Sequence, residues 1–268
     1  MLSFNTDGMV RQWFAFKDPI MDYILKNLKP EHLIKLYQCC KYFYAKFRRN
    51  IIRHLEIVAD GEKETLDPTK TVICVSNRVL STIEDFWLTD SYTNHGGIAV
   101  LPELFHCCIK KLESLNGIDW SGYKKLTKAG TIEELNIAEC LYFPVEYGYV
   151  MYAPVESIIV EVPNAKSIEI SNAHFTEETC EALLSVNRNV KFSKFVLRNI
   201  TLRLFDFPLF KEFILKNAAP ECHVRIDFEL FDEDVYGNVN KYLLTLATRF
   251  TEHIKLALET KKIFERIL

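Results

Sequence analysis

Residues 132–142 read IEELNIAECLY, residues 165–175 AKSIEISNAHF and residues 192–202 FSKFVLRNITL. Laid over one another, they share one spacing: apolar, two others, apolar, one other, apolar, two others, apolar, one other, apolar. The positions are Ile132, Leu135, Ile137, Cys140 and Tyr142; Ala165, Ile168, Ile170, Ala173 and Phe175; and Phe192, Phe195, Leu197, Ile200 and Leu202. The alternating residues in each copy fall on one face of a short strand, and the step after them is a bend that turns another apolar group to the core. The starts at 132, 165 and 192 are 33 and 27 residues apart, a period at which one copy is one supersecondary unit. A weaker copy begins at Leu112 with Leu115, and an irregular one includes Val224, Ile226 and Phe228.

The segments between copies read as returns. TEETCEALLSVN has the composition of a helix for which Thr176 serves as N-cap, with Glu177 and Glu178 placing negative charge in its first turn. PLFKEFILKNA reads as a helix with Pro208 at its start and Asn217 near its end. VESIIVEV, between the first two copies, reads as an extra strand, and the chain from Val239 almost to its end reads as one long helix. The fold class is therefore α/β, with parallel strands joined by helical returns. A generic alternation of strands and helices would give the same strands; the shared spacing favours a repeat array, whose open end the last helix would cap.

These copies resemble leucine-rich repeats in an irregular form. Asparagine is missing from the usual turn position, where Cys140 in the first copy is the only accepted substitute. The resemblance implies a solenoid over residues 54–268, with the residues between the buried strand positions facing outward on its concave side. Those are Glu134, Asn136 and Glu139, then Ser167, Glu169, Ser171 and Asn172, then Lys194, Val196, Arg198 and Asn199. Their charge changes from acidic to basic along the array, an arrangement suited to orienting a protein target. Glu134, Asn136, Glu169, Asn172, Lys194 and Arg198 are the candidate target-binding residues. Tyr147 and Tyr149 join them, in an aromatic insertion with Tyr142, Phe143 and Tyr152, because tyrosine supplies contact area at low entropic cost.

A second informative stretch is residues 16–47, FKDPIMDYILKNLKPEHLIKLYQCCKYFYAKF. Phe16, Ile20, Met21, Ile24, Leu25 and Leu28 recur at helical spacing, Pro30 and Glu31 suit the first turn of a second helix, and Leu33, Leu36, Cys40, Phe43 and Phe47 form its stripe. Two short helices cannot bury all of that surface against each other, so part of it must face a partner or another domain. The stretch resembles the F-box, and in its wording the expanded nematode F-box families. Phe16, Asp18, Ile20, Met21, Ile24, Leu25 and Leu28 match the first half of the family pattern, and Leu33, Leu36, Cys40, Lys41 and Phe43 the second. Lys17 stands where the family usually has proline, with proline moved to Pro19, and Cys39 replaces the usual valine.

The resemblance implies an F-box helical module over residues 10–53 that docks a Skp-family adaptor and, through it, a cullin. Phe16, Pro19, Ile20, Met21, Ile24, Leu25, Leu28, Leu33, Leu36 and Cys40 are the candidate adaptor contacts. The expected function is substrate-receptor subunit of a Skp-cullin-F-box ubiquitin ligase. The alternative, kept open by Lys17, is an interaction protein outside the ligase that sequesters or neutralises a protein partner.

Composition narrows the rest. With 268 residues, 49% hydrophobic and 13% aromatic, the chain has material for a packed core rather than disorder. A formal net charge of -3 gives no footprint for nucleic acid, and no apolar run approaches a membrane span. The N-terminus lacks the pattern of a secretory signal, and the eight cysteines include no Cys-x-x-Cys pair, so a reduced, cytoplasmic or nuclear protein is expected. Phosphate-loop, dinucleotide and nucleophile-elbow motifs are missing, and only nine glycines are present to build such a loop. His106 beside Cys107 and Cys108 diverge too much to share a metal. No cofactor and no catalysis are expected.

Overall fold

The computed structural model describes residues 7–8, 17–46, 50–67, 70–82, 86–97, 101, 104–142, 151–230 and 233–267. Three helices come first: α1 (Asp18–Asn27), α2 (Pro30–Cys39) and α3 (Lys41–Lys46). They are followed by β1 (Asn50–Val58), β2 (Thr65–Leu66), β3 (Thr71–Cys74), α4 (Val79–Thr82), β4 (Phe86–Asn94), β5 (Leu104–Cys107), β6 (Lys111–Ser114), β7 (Ile118–Asp119) and α5 (Trp120–Thr127). Then come β8 (Glu134–Ile137), β9 (Cys140–Tyr142), β10 (Met151–Tyr152), α6 (Val155–Val160), β11 (Ser167–Ile170), α7 (Thr179–Ser185) and β12 (Phe192–Ile200). A single 3-10 turn, Leu202–Leu204, leads into α8 (Phe207–Asn217), β13 (Ala218–Phe228) and the long α9 (Glu233–Ile267).

The protein is mixed α/β, built on one largely parallel sheet in the order β13-β12-β11-β8-β6-β4-β1-β3-β2, with β5 also paired to β4. From β4 onward each strand lies beside the one that precedes it in this series, and among the described strands of this sheet only the short β2 runs antiparallel. A three-stranded sheet, β10-β9-β7, forms where the chain bends away from the main strands.

The register explains the spacing in the sequence. Leu55, Tyr92, Leu112, Leu135, Ile168, Phe195 and Val224 stand side by side across seven strands, each 2% exposed or less. The next inward row is Ile57, Asn94, Ser114, Ile137, Ile170, Leu197 and Ile226, equally buried. Each fully buried aliphatic side chain contributes about 1.5–3 kcal/mol, so these two rows are the main cohesive element of the sheet. The repeat thus extends further than the three copies quoted above. Asn94 and Ser114 hide it, because they place polar groups at an inward position. There Asn94 Nδ2 donates to Ser114 Oγ (3.3 Å) and to the Gly97 carbonyl (2.6 Å), and Ser114 Oγ donates to the Gly117 carbonyl (2.7 Å). The burial is tolerated because the Asn94 amide and the Ser114 hydroxyl find polar partners, which removes most of the desolvation cost.

Other expectations need correction. The weak copy begins at Ile109, fully buried, and not at Leu112: register places Leu112 beside Leu135, and Leu115 is 46% exposed. VESIIVEV is not a strand. It forms α6, because Val155, Ile158, Ile159 and Val162 are buried at helical spacing and that period prevails over the strand preference of β-branched residues. Thr176 is not an N-cap; α7 starts at Thr179, whose Oγ1 accepts from the Thr176 backbone N–H (2.9 Å), reversing the expected direction. α8 runs as read, with Asp206 as its N-cap accepting from the Leu209 N–H. α9 begins at Glu233, before Val239.

At the β13 edge, α9 packs along the last strand and buries Leu243, Ala247, Phe250, Ile254 and Leu258 at three- and four-residue steps. Beneath it Phe195, Phe205, Phe210, Phe213, Phe228 and Phe250 form a contiguous ring cluster, with several edge-on contacts near 5–6 Å between centroids. The opposite end differs. Met21, Leu25, Leu33, Tyr37 and Tyr44 of α1–α3 close on Ile51 and Trp87, forming a small cluster separate from the main core. A boundary at residue 53 therefore falls inside β1, since Ile51 belongs to the strand and to the helical cluster at once.

Candidate functional site

Three surfaces carry the candidate residues. The first is the outside of α1–α3. Pro19 and Ile20 are exposed, and Ile24, Leu28, Leu36 and Cys40 are half-buried. Met21, Leu25 and Leu33 are instead internal, with Leu33 wholly inaccessible, so their contacts lie within the helical cluster. Phe16 lies outside the described residues. Tyr23, 70% exposed, was not singled out by the sequence reading, although it sits three residues after the 48% exposed Ile20 on the outward face of α1. Lys46 of α3 pins that helix by reaching Asp18 (3.2 Å) and Asp22 (3.5 Å).

The second surface is the outward face of the strands, and it brings Asn136 with Glu169 and Glu134 with Lys194 into two adjacent rows. Glu113, Asn136 and Glu169 are neighbours in register, as are Glu134, Ser167 and Lys194. Their charges meet each other. Lys111 pairs with Glu113 (2.7 Å), Glu169 takes both Lys194 (2.6 Å) and Arg198 (2.5 Å), and Asp227 takes Arg198 (3.5 Å) and Arg225 (2.8 Å). Burial works to raise the Glu169 carboxyl, but hydrogen bonds from Arg198 and Lys194 outweigh it and hold the group below the usual carboxylate range. The expected acidic-to-basic gradient is thus largely neutralised within the protein. Val196, expected to face outward, is 1% exposed, with the ion-paired Glu169 and Arg225 as its register neighbours. Tyr147 and Tyr149 lie outside the described residues.

The third surface lies where β8, β11, β12 and β13 end. A groove of about 520 Å³ is lined by Glu139, Asn172, Asn199 and Glu229 along its length and by Tyr152 and His174 on one wall. Asn199 Nδ2 donates to Asn172 Oδ1 (2.8 Å), and Asn172 Nδ2 donates to Glu139 Oε2 (3.1 Å). Asn199 has φ 54°, a left-handed conformation that asparagine tolerates better than most residues, and this turns its amide into the ladder. Strand carboxyl ends are where parallel sheets commonly present ligand sites. The sequence reading placed Asn172 on the strand face; the structure places it here, at the strand ends.

Elsewhere the titratable groups are committed to structure. Ser91 Oγ is 2.9 Å from His54 Nδ1, but His54 Nε2 is 3.8 Å from Asp90, which is held by Arg53 at 2.6 Å. That set lacks the carboxylate orientation a nucleophilic serine needs. His106 stacks edge-on against Trp87 and Cys108 lies against the same indole, whereas Cys107 turns inward, donates to the Leu126 carbonyl and has its thiol pushed up to about 12 by burial, so only Cys107 diverges from its neighbours. Among the described residues no cluster of three or more His, Cys, Asp or Glu is placed to hold a metal, and no helix is long and apolar enough to cross a membrane. No protein-family model matches the chain and no curated protein is significantly similar to it, so the functional reading rests on these surfaces.

Proposed function

We propose that the protein is a substrate-receptor subunit of a Skp-cullin-F-box ubiquitin ligase, with α1–α3 docking the adaptor and the repeat-like α/β region, as a short irregular solenoid, holding a protein target. The observation that carries the reading is the α1 edge. Ile20 and Tyr23 stay exposed beside the half-buried Ile24 on a helical unit whose sequence is similar to the F-box. An exposed apolar edge on a unit with its own core is what an adaptor-docking module requires. In this role the chain makes no bond itself; it raises the local concentration of target lysines near the ligase's catalytic module.

Leu33 is wholly buried within the helical cluster. A charged residue there would unfold the helical unit, so the informative variant is Ile20→Glu with Tyr23→Glu. Co-expression with a Skp-family adaptor followed by gel filtration is expected to give a one-to-one complex that this variant loses. No complex with wild type, or an unaffected complex with the variant, would overturn the reading. The second reading, a sequestering binder outside the ligase, is favoured by Lys17 at the family's proline position and by the internal use of Met21, Leu25 and Leu33.

A further inference from the structure

We infer that the groove at the strand ends receives an extended segment of a protein partner carrying two basic side chains four residues apart. The inference deepens the part that both functional readings share, that the chain holds a protein.

The first argument is charge. Among the described residues Glu113, Glu169 and Asp227 of the strand face are paired, whereas Glu139 and Glu229 have no cationic partner within the ion-pair distance, and no lysine or arginine lines the groove. The second is hydrogen-bond polarity. The amide ladder spends donors inward: Asn199 gives to Asn172, Asn172 gives to Glu139, and the Thr201 hydroxyl gives to Glu229 Oε2 at 3.3 Å. What remains facing the groove is weighted towards acceptor oxygens, which call for donors on the occupant. Guanidinium and ammonium groups supply donors and positive charge together. The third is the wall. Tyr152 (40% exposed) and Leu230 (49% exposed) offer an aromatic face and an apolar edge for the stems of long basic side chains.

Geometry sets the spacing. Glu139, Asn172, Asn199 and Glu229 follow four successive strands, so the two glutamates are separated by three strand intervals, about 14 Å at the usual spacing. An extended segment crossing the strand ends advances about 3.4 Å per residue, so side chains at i and i+4, which project to the same side, span the same distance.

The test is fluorescence anisotropy of the full chain with three labelled peptides at low salt: GSRGSGRSG, the composition-matched GSRRGSGSG, and GSEGSGESG. The first is expected to bind best and the acidic peptide not at all. Glu139→Gln with Glu229→Gln keeps the side-chain shape and one acceptor oxygen at each position while removing both charges, and should weaken the first peptide about ten-fold, as expected for two partly screened ion pairs. Glu252→Gln, an exposed carboxylate on α9 outside the groove, should leave it unchanged. No binding of the first peptide, equal binding of the acidic or adjacent-arginine peptide, or undiminished binding by the double variant would overturn the inference. Adaptor complex formation measured on the same double variant separates the two claims. Peptide binding without any adaptor complex leaves the groove standing and removes the ligase reading, and an adaptor complex without peptide binding does the reverse.

Discussion

Replacing Leu33 with alanine should melt the helical unit while leaving the sheet folded. Leu33 is wholly buried, and its neighbours Met21, Leu25, Tyr37, Tyr44, Ile51 and Trp87 form a cluster of their own, separate from the main core. Truncating a leucine at such a site removes its transfer energy and leaves a cavity, a loss of about 3 kcal/mol. A unit of about 30 residues has a stability on the order of 0.1 kcal/mol per residue, about 3 kcal/mol in all, so the substitution cancels most of what holds α1–α3 closed. The rows running from Leu55 to Val224 and from Ile57 to Ile226 do not include Leu33 and keep their packing. Hydrogen exchange resolved by peptide reads the two parts separately. Amides of residues 18–46 should exchange orders of magnitude faster in the variant, with those of β8, β11 and β12 unchanged. Uniform acceleration throughout the chain would refute the separation of the two clusters, and unchanged protection of residues 18–46 would refute the burial of Leu33.

Two further outcomes follow from the electrostatics. The Glu169 carboxyl is held below its ordinary value by Arg198 and Lys194, so the stability it contributes is complete above that value and fades as pH falls through the lower folded-state one. Glu169→Gln should therefore lower the urea midpoint at neutral pH and flatten its fall between about pH 5 and about pH 3; an unchanged pH slope would mean that the pairs contribute nothing. Burial pushes the thiols of Cys107, Cys140 and Cys222 up to about 12, whereas Cys39 is exposed. Iodoacetamide at about pH 8 should alkylate Cys39 first and reach those three only on unfolding, as mass spectrometry of the digested protein would show; early labelling of Cys140 would contradict its packing.

Much of this architecture was legible in the chain. Wherever inward residues are apolar and alternate, as at Leu135 with Ile137, Ile168 with Ile170 and Phe195 with Leu197, local sequence specifies a strand face directly, because strand geometry gives side chains a period of two. Pro30 and Pro208 marked helix starts for an equally local reason: proline suits a first turn and little else in a helix. Where the signal was mixed, local reading failed. Asn94 and Ser114 belong to the same inward row but are polar, and only the neighbouring strand shows that they satisfy each other. Val155–Val160 combines a strand's composition with a helix's period, and packing decided for the period.

The candidate sites divide along the same line. The outward position of Glu169, Lys194 and Arg198 followed from alternation, but their mutual neutralisation depends on residues 25 to 29 positions apart in the chain, which only strand register brings together. Leu33 and Tyr23 both lie on helices near apolar neighbours; which one turns inward was set by Ile51 and Trp87, contributed from two later strands. The groove is the extreme case. Glu139, Asn172, Asn199 and Glu229 span ninety positions of sequence and become one surface only because successive strands end at the same level of the sheet. By itself the sequence determined which short segments become strands and helices, since periodicity and turn chemistry act over a few residues. Tertiary structure alone decided which side chains meet, since contact between distant segments is a property of register and packing.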